Sequence, residues 1–179
     1  MQKGVAVWFT GLSGTGKTTI CRLVEAELIN YGIRVEVLDG DEVRKRLTAD
    51  LGFSKEDRQK NIERVAFVAK LLTRNDVIVL ASFITPYRHM RDYCRQEISS
   101  FIEVFVKCSL AECIRRDVKG LYKKALKGEI HGFTGISDPF EEPENPDIVL
   151  DTENEAPDES AAIIIHYLMQ HQYIKVEQP

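Results

Sequence analysis

Apolar residues along the chain fall in short runs, separated by longer stretches in which they recur with a helical period. That alternation predicts an α/β fold built on a parallel sheet. Five runs have the length and content of strands: Val5 to Thr10, Arg34 to Leu38, Asp76 to Phe83, Ile102 to Lys107 and Asp147 to Leu150. Helical patterns cover Lys17 to Tyr31, Glu56 to Arg74, Tyr87 to Glu97, Leu110 to Asp117 and Asp158 to His171, so each step from strand to strand has its crossover. The expected fold is a doubly wound, mainly parallel five-stranded sheet with helices on both faces. Ser54 followed by Asp57 reads as a capping box, and Gly32 sits where a helix end needs a left-handed residue. The stretch from Lys119 to Pro146 holds four glycines and three prolines with little apolar periodicity. A solvated surface loop and a mobile lid both fit it, and connections longer than about 12–15 residues tend to be functional. The expected organisation is one domain over 1–179, with a lid at about 116–145 and a frayed tail at 175–179.

Composition narrows the functional classes. A hydrophobic share of 44% with 29% charged residues in 179 residues is that of a globular domain with a real core. Lys plus Arg number 24 and Asp plus Glu 28, a net charge of −4, so no bulk positive field exists to hold nucleic acid or an anionic membrane. Any anion must meet a local site. Cys21, Cys94, Cys108 and Cys113 form neither a CxxC pair nor a disulfide framework, which points to a reducing compartment. Val5 to Phe9 is too short for a signal core or a membrane span, and the expected location is cytoplasmic. His89, His131, His166 and His171 have no ligand-like spacing and read as surface or helix residues.

The strongest local signal follows the first strand. Gly11-Leu12-Ser13-Gly14-Thr15-Gly16-Lys17-Thr18 matches G-x-x-x-x-G-K-[ST] at every fixed position and sits between a strand and a helix. Glycines let backbone N–H groups converge on phosphate oxygens, and the helix N-terminus adds a favourable dipole. Gly11 to Thr18, with Thr19, form the expected ATP-binding set. Lys17 reaches the β- and γ-phosphates, and the Thr18 hydroxyl can ligate Mg²⁺. A glycine-rich turn that binds nothing is the bland alternative. The chain has no Asn-Lys-x-Asp tetrapeptide for guanine and is short for a motor, which favours a small-molecule kinase.

The second strand ends Leu38-Asp39-Gly40-Asp41-Glu42-Val43-Arg44, at the sheet edge where a doubly wound fold binds its ligands. Asp39 is assigned to the metal and Asp41 to the acceptor hydroxyl, as the catalytic partner of Lys17. The alternative for Asp41 is a cap on a helix beginning at Glu42. Arg58 and Asn61 share a helix face, preceded by Phe53. With Arg44 they could hold an anionic nucleotide, arginine forks on its phosphate or sulfate and Phe53 against the base. A solvated helix face with a buried Phe53 is the competing reading.

These segments, with Leu51-Gly52-Phe53-Ser54, Ser82-Phe83-Ile84-Thr85-Pro86-Tyr87-Arg88, Arg116 to Tyr122 and Phe133-Thr134-Gly135-Ile136, resemble adenylylsulfate kinases from near residue 4 to about residue 150. The resemblance implies Mg²⁺-dependent transfer of the ATP γ-phosphoryl group to the 3′-hydroxyl of adenosine 5′-phosphosulfate. It also implies adenylylsulfate contacts by Asp41, Arg44, Phe53, Arg58, Asn61, Ile84, Thr85, Lys119, Gly132 and Phe133, and a homodimer. Two positions depart from the family pattern. Thr85 stands where a serine is usual, one regarded as a possible phosphoryl carrier, and the residues here favour direct in-line transfer with Thr85 as a substrate contact or a helix cap. Glu42 replaces an asparagine and is expected to face solvent. Rival readings are a kinase for a sugar acid or a nucleoside monophosphate, and an inactive nucleotide-binding module.

Overall fold

The computed structural model describes residues 2–175, so residues 176–179 of the expected tail lie outside it. Its elements are β1 (Val5–Thr10), α1 (Lys17–Asn30), β2 (Val35–Asp39), α2 (Gly40–Lys45), α3 (Lys55–Thr73), β3 (Ile78–Ser82), α4 (Arg88–Glu97), β4 (Phe101–Lys107), α5 (Leu110–Arg116), α6 (Leu121–Leu126), β5 (Ile148–Asp151) and α7 (Pro157–Gln170). The strands form one sheet in the order β2-β3-β1-β4-β5, and every pairing is parallel. The five expected strands and five expected helices are all present, with ends that differ by at most two residues. Two further helices, α2 and α6, are too short for a hydrophobic period to reveal.

Alternation along the strands decides which helix covers which face. Val5, Val7 and Phe9 of β1 pack with Ile78, Leu80, Ile102 and Val104 against α1 and α7. Ala6 and Trp8 pack with Val79 and Ala81 against α3 and α4. Both faces are apolar, which is why β1 and β3 read as unbroken hydrophobic runs. Each large side chain fully buried in this way contributes about 1.5–3 kcal/mol. The register sets Asp39 beside Ser82 and Ser82 beside Phe9, so the carboxyl ends of β2, β3 and β1 line up along one edge.

Helix ends follow their local chemistry. Helix α1 closes in a Schellman arrangement: Ile33 N donates to Leu28 O and Gly32 N to Ile29 O, with Gly32 at φ 70°. Ser54 Oγ accepts from Asp57 N at 3.1 Å and caps α3 as expected, but the Asp57 carboxylate turns to Gly52 N instead of completing the box. The cap of α2 is Asp39, whose Oδ1 accepts from Asp41 N and Glu42 N. This corrects the reading of Asp41 as a cap: the helix starts two residues earlier than Glu42, and Asp41 lies inside its first turn.

Two glycines distinguish conformational from spatial need. Gly32 has a left-handed backbone, and a Cβ there would meet nothing within 4 Å, whereas a Cβ on Gly4 would lie 1.9 Å from the Thr73 carbonyl oxygen. Gly32→Ala is expected to cost about 1–2 kcal/mol. Gly4→Ala must push β1 from the end of α3 and should reach about 3 kcal/mol or beyond. Urea midpoints of the two variants check this ranking, and a smaller loss at Gly4 would contradict it.

Candidate active site

The loop after β1 is shaped by the strand beside it. A Cβ on Gly11 would lie 2.5 Å from the Val106 carbonyl oxygen of β4, so only glycine lets the chain turn there. Gly16, at φ 97°, precedes α1, whose first N–H groups have no partner within the helix. The loop carbonyls are taken from several sides: Thr15 Oγ1 donates to Leu12 O at 3.1 Å, Tyr122 Oη to Ser13 O at 2.7 Å, and Thr152 Oγ1 to Thr15 O at 2.7 Å. Segments over a hundred residues away thus fix the loop that presents its amides to an anion.

Lys17 is buried, and its Nζ donates to the carbonyls of Gly11 at 2.8 Å and Leu12 at 2.7 Å. Burial brings its pKa down to about 8, with Lys119 adding to the fall while Asp39 and Asp41 oppose it. Thr18 Oγ1 lies 3.1 Å from Asp39 Oδ2, the oxygen that Asp39 does not use to cap α2. One hydroxyl and one carboxylate oxygen are the donors that Mg²⁺ takes from a protein when phosphates and water complete its octahedron. Asp41 is exposed and forms an ion pair with Lys119 across the cleft.

The connection between α5 and β5 crosses this edge and is tied down by Arg58. Its Nη1 donates to Thr134 Oγ1 at 3.2 Å and to Asp138 Oδ2 at 2.9 Å, Nη2 donates to Gly132 O, and Nε to Phe53 O at 2.9 Å. Tyr87 Oη donates to the same Asp138 oxygen at 2.6 Å, and burial together with that carboxylate pushes the phenol up to about 12. A cavity of about 300 Å³ lies here, lined by Phe53, Ser54, Arg58, Tyr87, Gly132 and Asp138. Phe53 is 69% exposed, with the Arg44 guanidinium 4.4 Å from its ring centre. This answers the competing reading: the ring is a presented face, not core.

Beside this geometry, the adenylylsulphate kinase family model matches residues 3–151. The adenylyl-sulfate kinase of Halothermothrix orenii is 58% identical over 177 residues, 99% of this chain and 96% of that protein. The probable adenylyl-sulfate kinase of Pseudomonas aeruginosa is 62% identical over 162 residues, 90% and 76% of the two chains. The chain belongs to the adenylylsulphate kinase family. Among solved structures, the kinase of Mycobacterium tuberculosis in complex with AMPPNP and APS superposes with a TM-score of 0.91 at 45% identity, covering 94% of this chain and 99% of that one.

Within this kinase, the expected residues are not equally disposed toward a ligand. Lys17, Thr18, Asp39, Asp41 and Lys119 surround the loop, and Arg44, Phe53, Arg58, Gly132 and Phe133 gather beside it. Asn61 is buried, its Oδ1 accepting from Thr48 Oγ1 at 2.7 Å, so that oxygen secures the α2–α3 link. Ile84 offers its carbonyl to Thr10 Oγ1 at 2.6 Å and to Gly11 N at 3.4 Å. Thr85 is 2% exposed, and its hydroxyl accepts from Trp8 Nε1 at 2.9 Å. It does not cap the next helix, which starts at Arg88, because the extended Tyr87 holds the N-cap position. Glu42 is exposed and pairs with Lys45 at 2.8 Å, as expected. All four histidines are exposed. Among the described residues, no cluster of three or more His, Cys, Asp or Glu could hold a metal, and no helix is long and apolar enough to cross a membrane. Sequence reading missed Tyr87, Tyr122, Asp138 and Thr152, whose roles depend on contacts across the fold.

The lowered pKa of Lys17 predicts a pH-dependent stability. Between pH 8 and 10.5 the unfolded lysine holds a proton that the folded one has lost, so burial penalises the native state below pH 8 and the penalty fades as pH rises. Lys17→Met removes that penalty. The variant's advantage over the native protein should be larger at pH 7 than at pH 10 by roughly 2.5 kcal/mol. Urea unfolding of both proteins at the two pH values measures it, and a constant difference would contradict the assignment.

Proposed function

We propose that this kinase moves the γ-phosphoryl group of ATP directly to the 3′-hydroxyl of adenosine 5′-phosphosulfate, giving ADP and 3′-phosphoadenosine 5′-phosphosulfate. The supporting observation is the ion pair between Asp41 and Lys119, which sets a carboxylate and an ammonium side by side at the mouth of the phosphate loop. Such a pair suits the point where an alcohol oxygen meets a phosphoryl group: the carboxylate accepts a hydrogen bond from the hydroxyl, and the ammonium faces developing negative charge. The loop amides from Gly11 to Thr19 and Lys17 hold the triphosphate. A phosphate at Lys17 favours its charged form and replaces the carbonyls of Gly11 and Leu12 as acceptors. Thr18 and Asp39 would hold Mg²⁺, which when bound neutralises charge on the β- and γ-oxygens.

The acceptor half of the site is built for a sulfated nucleotide. Arg44 supplies a fork that matches phosphate and sulfate oxygens, Arg58 adds positive charge beside it while its own N–H groups hold the connection, and Phe53 with Phe133 supplies faces for adenine. Asn61, Ile84 and Thr85 shape the floor through backbone and buried contacts. The α5–β5 connection acts as a lid, carrying Lys119, Gly132 and Phe133 over both nucleotides and excluding water that would compete with the hydroxyl. A cytoplasmic setting accords with ATP as co-substrate and with the four free cysteines. Self-association as a homodimer belongs to this reading and is checked by sedimentation velocity.

The acceptor is identified by comparing ADP release with adenylylsulfate, gluconate and AMP, with and without Mg²⁺. Turnover on gluconate or AMP alone would refute the assignment. Asp41→Asn should lower kcat by about 10²–10⁴ while ATP still binds, and unchanged kcat removes Asp41 from the reaction. Arg58→Ala should raise the KM for adenylylsulfate by about tenfold or more, the worth of a lost charge-assisted contact; an unaltered KM would exclude it.

A further inference from the structure

Phosphoryl transfer as described makes no use of Tyr122, yet this side chain is 1% exposed and touches both halves of the site. Its hydroxyl donates to the Ser13 carbonyl of the phosphate loop at 2.7 Å. Its ring meets Phe133 edge to face, with centroids 5.1 Å apart and planes at 81°. The residue is fixed from its own side as well, because Asp117 Oδ1 accepts from Tyr122 N at 2.9 Å and Asp117 Oδ2 from Lys123 N at 3.0 Å. Gly120, at φ 67°, lets the chain turn between Lys119, which pairs with Asp41, and the start of α6. A second contact joins the same two segments: a Cβ on Gly135 would come within 3.1 Å of Leu12 Cδ2, so the turn after Phe133 rests on the phosphate loop.

We propose that Tyr122 is a positioning residue that couples the two nucleotide sites. A triphosphate that orders the loop fixes the Ser13 carbonyl, which holds the Tyr122 hydroxyl and with it the ring against which Phe133 is set. Phe133 is thereby presented to the acceptor's adenine. The coupling is reciprocal: whatever factor the donor nucleotide contributes to acceptor affinity, the acceptor returns to the donor. Removing the hydroxyl while keeping the ring should reduce that factor by roughly two- to tenfold, the worth of one neutral hydrogen bond. The inference rests on Phe133 facing adenylylsulfate, as proposed above.

Calorimetric titration of the full chain with adenylylsulfate, alone and in saturating AMPPNP with Mg²⁺, reads the coupling factor, and the reverse titration must return the same one. In the native protein AMPPNP should tighten adenylylsulfate binding several-fold. In Tyr122→Phe the ratio should fall toward one. Thr152→Val serves as control, because Thr152 braces the same loop at Thr15 O without touching Phe133. It should weaken AMPPNP alone and keep the native ratio. A native ratio retained in Tyr122→Phe, equal loss in both variants, or no coupling in the native protein each overturns the proposal. Absence of any adenylylsulfate binding by the native protein overturns the substrate assignment as well, so the two failures are told apart.

Discussion

Arg91 joins three parts of the chain that would otherwise be independent. At 3% exposure, its Nε pairs with Glu103 of β4 at 2.9 Å, its Nη1 donates to the Thr85 carbonyl at 2.6 Å, and its Nη2 donates to the Glu141 carbonyl. The sheet, the turn after β3 and the end of the α5–β5 connection therefore meet at one guanidinium. Burial lowers the Arg91 pKa and raises that of Glu103, so removal from water outweighs the attraction of either charge for the other. The pair persists because its remaining donors and acceptors are filled: two carbonyls complete Arg91, and Arg95 reaches Glu103 and Asp147 together. Losing one partner of such a pair costs about 3–5 kcal/mol, since the other is left charged and buried. The location of this cost, directly behind the site, makes the edge of the sheet a rigid base.

On that base the α5–β5 connection packs the rings of Tyr122 and Phe140 and is otherwise held by polar contacts. Arg58 and Tyr87 converge on Asp138 from α3 and from the turn before α4, and Lys119 reaches Asp41. Hydrogen bonds exchanged with water contribute about 0.5–1.5 kcal/mol each, so a segment retained by a few of them opens at far lower cost than the sheet. A lid has to be both closed during transfer and open for release. In the function proposed above this connection is the lid, and Arg58 serves the balance from beside the cavity lined by Phe53 and Gly132.

What could be read in advance follows from the range of the interactions. Strands, crossovers and the phosphate loop depend on neighbours within one turn or one pleat, and the chain shows them directly. Asp39 and Asp41 were both legible as candidates for the site, but which one caps α2 was not, because a two-residue offset in the helix start decides it. Phe53 could be core or surface by type alone; only the fold shows its ring exposed beside Arg44. The bonds from Tyr87 to Asp138, Arg58 to Asp138 and Tyr122 to Ser13 span 51, 80 and 109 residues. No periodicity carries such information. The tyrosines look like ordinary buried aromatics, and the one hint, at Tyr122, was its place beside Gly120 among charged residues.

Thr85 brings these threads together at the point where the reaction path is decided. It is a β-branched residue at φ 46°, a conformation that costs energy for any side chain with a branched Cβ. Thr10 and Arg91 hold its carbonyl, and Trp8 fills its hydroxyl as an acceptor. A hydroxyl serving as phosphoryl carrier must turn toward the donor's γ-phosphate and toward a base. This one is turned into the core against an indole, and Glu103, the carboxylate paired with Arg91, is engaged by two arginines. Strain at Thr85 is therefore spent on shaping the backbone that supports Ile84 and Gly11, next to the loop. In the function proposed above, the chemistry is therefore left to two nucleotides brought together, with the transferring group passing directly from one to the other.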